Sequence, residues 1–356
     1  MHMSDPPVSK VPYQDDVGVD YEYGTLKEVV VGVPFLVYPD LTVAKWAEEA
    51  CKILPKDAAD KVRARSGKSS VEIGKFSAME KENDELIALF HRHNVKVWRP
   101  DTLTRERVGV NFGNDYVRFA GISQQYTRDP FIVVGQNVIE TAMGSLYRRS
   151  DILGLREIFL KRLLGSNAKW VSMPALDYSL MIRDGLFDKT KFPVLEGGDV
   201  IVLGKTILVG NSMNKSTGSS ELGYQWLKAY LEPQGYDVKQ VRLTEDILHL
   251  DVALSVPKAG VIIVCPDVFS DGVPHYFDGW KQITVTRDET RFLATNGLPL
   301  DQDNYILGYN EYFDGKKIKK SLESCGIKVF PIFFGLHNED GGSIRCSANS
   351  LVRAVE

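Results

Sequence analysis

Near its C-terminus the chain runs Asp340-Gly341-Gly342-Ser343-Ile344-Arg345-Cys346-Ser347-Ala348. A cysteine with an arginine beside it, just after two glycines, has the parts of a nucleophile. Only the thiolate attacks well, and a nearby cation lets it form below the free-thiol pKa of about 8.5. The expectation is that Arg345 draws the Cys346 thiol down. The glycines allow a sharp turn or a close approach to a ligand. The same stretch also reads as a small buried cysteine after a turn, since free cysteine is among the most buried residue types. Three other stretches bear on the choice.

Thr127-Arg128-Asp129-Pro130 precedes an apolar run, and Pro130 disfavours helix at Asp129, so the acid stands at a strand entrance. Glu196-Gly197-Gly198-Asp199 places two carboxylates on a flexible corner, again before a strand, where both could bind a cation. His249-Leu250-Asp251 opens a third strand; in an extended chain residues two apart share a face, which would point His249 and Asp251 at one site. Taken singly these also read as a capped turn acid, a solvated loop and a surface His-Asp pair. Taken together, all four lie at strand ends of similar units, and ends of radially arranged units converge. Such a set suits attack on a planar guanidinium. Carboxylates hold the cation flat, the thiolate attacks its central carbon, and histidine protonates the departing amine.

The elements that must position these groups follow from the patterning. Strands are expected at 27–33, 95–99, 131–134, 138–140, 169–172, 200–203, 206–209, 237–243, 252–255, 261–264, 282–286, 304–308 and 328–334. Helices are expected across 41–65 with a break at Pro55, and over 76–93, 146–164, 221–231 and 315–324. The inner face of the helix over 76–93 would be Met79, Leu86, Ile87, Leu89 and Phe90. Hairpin, helix, strand recurs at least three times. One such unit cannot bury its own sheet, whereas several around an axis share a core. With no Gly/Ser- or Pro-rich linker, residues 25–356 read as a single domain behind a flexible arm, 1–24.

The 356 residues are 44% hydrophobic and 25% charged, enough for a large core, and the net charge of −4 favours neither nucleic acid nor an anionic membrane as partner. No apolar run approaches the roughly 20 residues of a membrane span. Cys51, Cys265, Cys325 and Cys346 form no CxxC pair, so neither a zinc ribbon nor a disulfide framework is expected. Cys51, Cys265 and Cys325 read as structural. Without a signal-peptide core, the expected compartment is reducing and cytoplasmic.

The four motifs resemble those of the guanidino-group-modifying enzymes: arginine deiminases, dimethylarginine hydrolases and amidinotransferases. The likeness runs from about Lys27 to Arg353. TRDPF and EGGD are similar to the deiminase segments, HLD to the H-x-D motif, and GGSIRC to the terminal loop with its cysteine. KEVVVGV, PFIVVGQNVIETAM, Tyr147-Arg148-Arg149 and LGSNAKWVSMP look most like glycine amidinotransferase. The resemblance implies an α/β fold, a five-bladed α/β propeller of ββαβ units (the pentein fold), with the site on its axis. It implies Cys346 as nucleophile, His249 as acid/base and Glu196 as its catalytic carboxylate. Asp129 and Asp251 would bind guanidinium, with Asp199, Arg128 and Arg345 also on the substrate. It further implies small-molecule substrates, L-arginine as amidino donor and an amine as acceptor. Neither a metal nor a cofactor is expected, and because family members are often dimers, a homodimer is. Hydrolysis of a guanidino group by the same residues is the alternative reaction, and a non-catalytic binding propeller is a third reading. Two departures stand out. The family usually has histidine before the nucleophile, where this chain has Arg345. No arginine follows the H-x-D hairpin at 265–269 to hold a substrate carboxylate, a role left to Arg345, Arg128 or Arg183.

Overall fold

The computed structural model describes residues 16–52, 56–174, 177 and 188–354. Its framework is five three-stranded sheets of one topology, an antiparallel pair with a third strand added parallel, plus a two-stranded ribbon between Leu36–Val37 and Ile122–Ser123. In the second sheet Phe131–Val134 pairs with Asn137–Glu140 around Gly135, whose φ of 51° permits the tight turn. The helix Ile152–Leu163 then returns the chain to Lys169–Ser172, parallel to the hairpin's second strand. The third sheet repeats this with Val200–Leu203, Thr206–Ser212, the helix Glu221–Leu231 and Asp237–Leu243. The fifth does so with Leu298–Asp301, Asn304–Tyr309, the helix Lys316–Ser324 and Lys328–Phe333. In the fourth, Leu254–Lys258, Val261–Val264 and Lys281–Thr284 are joined by short 3-10 turns in place of a helix.

The first sheet is completed by the end of the chain. Thr25–Val31 pairs antiparallel with Ala348–Ala354, from Thr25 opposite Ala354 to Val31 opposite Ala348, and parallel with Lys96–Trp98. Each sheet packs on the next, and the fifth packs back on the first. The apolar core follows that circuit. One cluster joins the second and third sheets through Phe131, Val138, Val200 and Val209. Another joins the third, fourth and fifth through Leu208, Ile263 and Tyr305. A third joins the fifth and first through Leu298, Ile306 and Val29.

Several expectations are adjusted. The helix over 41–65 is two helices, Lys45–Lys52 and Lys56–Arg65, on either side of Pro55. The helix expected from 146 is only a 3-10 turn, Leu146–Arg148, until Ile152. The strand expected at 252–255 begins only at Leu254, and the residues opening it, Leu250–Ala253, form a helical turn. Part of the expected arm is anchored: Gly18 bridges to Val352, Val19 to Gly135 and Tyr21 to Leu203, with Val17 and Val19 buried. The helix Phe76–Arg92 buries Met79, Leu86, Leu89 and Phe90 as expected, but also Glu82 and Asn83. Among the described residues, no helix is long and apolar enough to cross a membrane.

Candidate active site

The ring brings the four motifs together. Pro130 hands the chain into Phe131–Val134, which leaves Asp129 buried at the strand's entrance. The EGGD corner folds as a 3-10 turn, Gly197–Asp199, against it. Glycine is required at 198 because a Cβ there would stand 2.6 Å from His249 Nδ1 and 2.9 Å from Asp129 Oδ1. Gly198 N donates to Asp129 Oδ1 at 2.9 Å. His249 lies between two carboxylates, with Nε2 2.6 Å from Glu196 Oε2 and Nδ1 3.7 Å from Asp129 Oδ1. The other oxygen of Glu196 accepts from Gly144 N at 2.9 Å. Burial alone would push the imidazole's pKa down, but Asp129, Asp199 and Glu196 carry it up to about 10, so it is an imidazolium at neutral pH. Burial pushes Glu196 and Asp129 the other way and is outweighed, by His249 for the first and by Arg148 and His249 for the second; both carboxyls sit below their usual range.

Cys346 lies in the helical turn Ile344–Ser347, ahead of the closing strand. Its backbone is fixed on two sides: N donates to Asn296 Oδ1 at 3.1 Å, and O accepts from Arg128 N at 3.1 Å. Its Sγ is 3.9 Å from Asp251 Oδ2. Asp251 is fully buried; Oδ2 pairs with Arg345 Nη1 at 2.9 Å, and Oδ1 has no hydrogen-bond partner among the described residues. Asp251 and Asp129 both lie within electrostatic reach of the sulfur. Among the described residues Cys346 and His249 share no hydrogen bond; those two carboxylates stand between them in the electrostatics.

The thiol does not behave as the sequence suggested. Burial, then Asp251 and Asp129, push the Cys346 pKa well above its ordinary value, and Arg345 opposes this only weakly. The reason is that Arg345 is already neutralised. Its Nη2 is 3.1 Å from Glu22 Oε1, its Nη1 holds Asp251, and Nη2 also donates to Val200 O at 3.0 Å.

Of the residues expected on the substrate, the structure brings Asp251 and Asp129 near the cysteine. Asp251 has its Oδ1 free among the described residues, and Asp129 has both oxygens already accepting, from Gly198 N and Arg148. Asp199, Arg128 and Arg345 are committed to the protein itself. Asp199 accepts from Ser219 N at 2.8 Å and Leu250 N at 2.9 Å, so it ties the EGGD corner to the HLD turn. Arg128 donates to the carbonyls of Arg345 and Ala348. Arg345 is enclosed as described, and Arg183 lies outside the described residues. The argument that put His249 and Asp251 on one face of a strand also fails. His249 is the extended residue before the turn Leu250–Ala253, and Asp251 is inside it. They meet the same site because the turn rotates Asp251 toward Arg345, not because of strand alternation.

Sequence reasoning missed four positioning residues. Arg148 donates to Asp151 Oδ2 at 2.8 Å, Asp129 Oδ2 at 2.6 Å and Tyr126 O at 2.5 Å, in the 3-10 turn that a helix pattern concealed. Glu22 carries no local signal beyond being an acid in the N-terminal segment. Asn296, which holds Cys346 N, is an asparagine in a turn. Tyr126 donates to His337 O at 2.6 Å and packs on Gly342, where its ring leaves no room for a Cβ.

No protein-family model matches the chain. It is 24% identical over 254 residues to inosamine-phosphate amidinotransferase 1 of Streptomyces glaucescens, 65% of this chain and 69% of that protein. It is 24% identical over 303 residues to an arginine deiminase of Metamycoplasma hominis, 73% of this chain and 69% of that protein. Among solved structures, an inosamine-phosphate amidinotransferase from Streptomyces griseus superposes with a TM-score of 0.74 at 20% identity, covering 96% of this chain and 97% of that one. In sequence, then, the chain is a relative of the guanidino-group-modifying enzymes, amidinotransferases and guanidino hydrolases alike, and it has their fold.

Proposed function

We propose that the protein is an amidinotransferase that moves the amidino group of L-arginine to a primary amine through an S-amidino intermediate on Cys346, and that its five sheets are the blades of an α/β propeller. The observation that carries the reading is the burial, in one place, of a thiol, an imidazolium and three carboxylates. A cluster with that charge suits a flat cation. The free oxygen of Asp251 and the carboxylate of Asp129 accept guanidinium N–H groups. The arriving positive charge offsets the carboxylates that hold the thiol protonated, so ionisation accompanies binding and the thiol proton is released to solvent, His249 being already protonated. The thiolate forms a bond to the guanidinium carbon. His249, held protonated by Asp129, Asp199 and Glu196, gives its proton to the departing nitrogen as that C–N bond breaks and ornithine leaves. The acceptor amine then loses a proton to His249 and attacks the same carbon, and the C–S bond breaks to free the thiolate. Charge, acid and nucleophile all come from side chains, so this route calls for no metal or organic cofactor.

Hydrolysis is the second reading, favoured by the deiminase-like TRDPF and EGGD segments and by the deiminase relative. The test is to supply arginine with and without a panel of amines. Ornithine that appears only with an amine is the expected result; citrulline without any amine would establish the hydrolase. Cys346→Ala is expected to abolish turnover and adduct together, and a fully active mutant would refute the mechanism.

A further inference from the structure

Beside the reaction centre lies a cavity of about 280 Å³. Its walls are the ribbon residues Val37 and Ile122, the indole of Trp46, and the rings of Tyr126 and Tyr147. These two tyrosines join it to the chemistry. Arg148 donates to both Tyr126 O and Asp129 Oδ2, the Tyr126 ring packs on Gly342, four residues before Cys346, and Tyr147 is the residue before Arg148. Trp46 is fixed by its Nε1–H, which donates to Phe119 O at 3.0 Å, so it is a rigid wall.

The charge in the walls is selective. Among the described lining residues there is no lysine or arginine. The cations around the walls are already engaged. Lys75 Nζ and Arg65 Nη1 lie 2.8 Å and 3.5 Å from the carboxylate of Asp340, itself a lining residue. Arg65 also stands over the Tyr38 ring, and Arg148, over the Tyr126 ring, is held by Asp129 and Asp151. A carboxylate or phosphate in the cavity would therefore lose its hydration with nothing to replace it, a cost of several kcal/mol. An uncharged ring instead gains aromatic contacts. Besides the Asp340 carboxylate, two polar groups without a hydrogen-bond partner among the described residues line the cavity, Tyr38 Oη and the Gln125 amide oxygen. Gln125 is 2% exposed, and its oxygen suits a hydroxyl donor on the ring.

We propose that this cavity seats the body of the acceptor, and that the acceptor is an arylalkyl primary amine, not an amino acid or a phosphorylated amine. The ammonium end lies toward Asp129 and Glu196, and the ring lies against Trp46 and Tyr126. The volume is near the ~300 Å³ at the small end of ligand pockets, a fit for one phenyl ring on a two-carbon chain. The inference rests on the transfer reading above.

The test uses the full chain with arginine as donor and phenethylamine, tyramine, glycine and glucosamine 6-phosphate as competing acceptors, with the guanidino products measured by mass spectrometry. The arylalkyl amines are expected to show kcat/KM at least about tenfold above glycine and the phosphorylated amine. Trp46→Ala, and independently Ala47→Trp, which fills the cavity, are each expected to lower the tyramine-to-glycine ratio of kcat/KM by about tenfold, mainly through KM. If arginine labels Cys346 but glycine or the phosphorylated amine is preferred, the acceptor assignment is overturned while transfer stands. An unchanged ratio in both variants overturns it as well. If arginine neither labels Cys346 nor yields ornithine with any amine, the transfer reading falls first and takes this inference with it.

Discussion

At the scale of single residues, the decisive balance is around Cys346 Sγ. Burial, Asp251 and Asp129 hold the thiol protonated in the free protein, while Arg345 is committed to Glu22 and Asp251. Replacing Asp251 by asparagine removes the carboxylate nearest the sulfur and leaves Arg345 with more uncompensated charge. Both changes favour the thiolate. Iodoacetamide should therefore alkylate Cys346 several-fold faster at pH 7.5 in Asp251→Asn than in the parent. Turnover of arginine should fall at least a hundredfold, because the free oxygen that accepts guanidinium is gone. If alkylation slows, the electrostatic account of the thiol is wrong. A second substitution, Glu196→Gln, removes one of the three charges that keep His249 protonated, the one in hydrogen-bond contact with it. It should cost about 10²- to 10⁴-fold in kcat, with the alkaline limb of the pH–rate profile moving to lower pH. An unmoved limb would take Glu196 off the histidine. The identity of all five groups was legible in the sequence, because strand-entrance acids, H-x-D and a glycine-flanked cysteine carry local signatures. Their protonation was not legible. It depends on burial and on charges such as Arg148 and Arg345 that only the fold brings beside them, Arg345 in turn being held by Glu22, 323 positions away.

At the scale of elements, periodicity located most strands and helices, because alternation and 3.6-residue spacing are local properties. It failed where a tertiary contact overrode pattern. The strand reading extends the apolar run at 252–255 back to His249, yet Asp199 Oδ1 takes Leu250 N at 2.9 Å and a helical turn begins there. Glu82 shows the converse. It lies on the apolar stripe of the helix Phe76–Arg92, three residues after Met79 and four before Leu86, which was itself a signal that the face receives something polar. In the structure Glu82 accepts from Leu336 N at 2.8 Å and His337 N at 3.1 Å, and faces His337 Nδ1 at 2.7 Å. Tyr126 holds the carbonyl of that same His337, and its ring packs on Gly342, four residues before the cysteine. The helix Phe76–Arg92 thus holds the loop that leads to Cys346. Glu82→Ala leaves two backbone donors and an imidazole without their buried acceptor. It should lower the unfolding free energy by about 1–3 kcal/mol, with the urea midpoint falling at constant slope. An unshifted midpoint would show that the helix does not hold this loop.

At the scale of the molecule, five sheets closed by Ala348–Ala354 on Thr25–Val31 make a ring, and its inner charges are contributed by segments far apart in sequence. Folding therefore sets their ionisation, and stability must depend on pH through them. His249 has a folded pKa of about 10 against 6.5 unfolded. A raised pKa means its contribution is whole below pH 6.5 and is lost as pH climbs through 10. Asp151 and Asp199, raised from 3.8 to about 7 and about 6, chiefly by burial, act in the same sense at lower pH. Their contribution is whole below 3.8 and lost by 7 and 6. Asp129 and Glu196 are depressed, so theirs is present above pH 4 to 5 and is lost on acidification. The signs combine into an optimum on the acid side of neutrality and a long alkaline decline. Thermal unfolding from pH 4 to 10 should show Tm highest near pH 5 to 6 and falling by several degrees toward pH 10. His249→Asn should flatten the decline above pH 7 and leave the part below it, where Asp151 and Asp199 titrate. If the mutant instead retains the full alkaline decline, the imidazolium is not held between Asp129 and Glu196, and the general acid of the proposed transfer must be sought elsewhere in the ring.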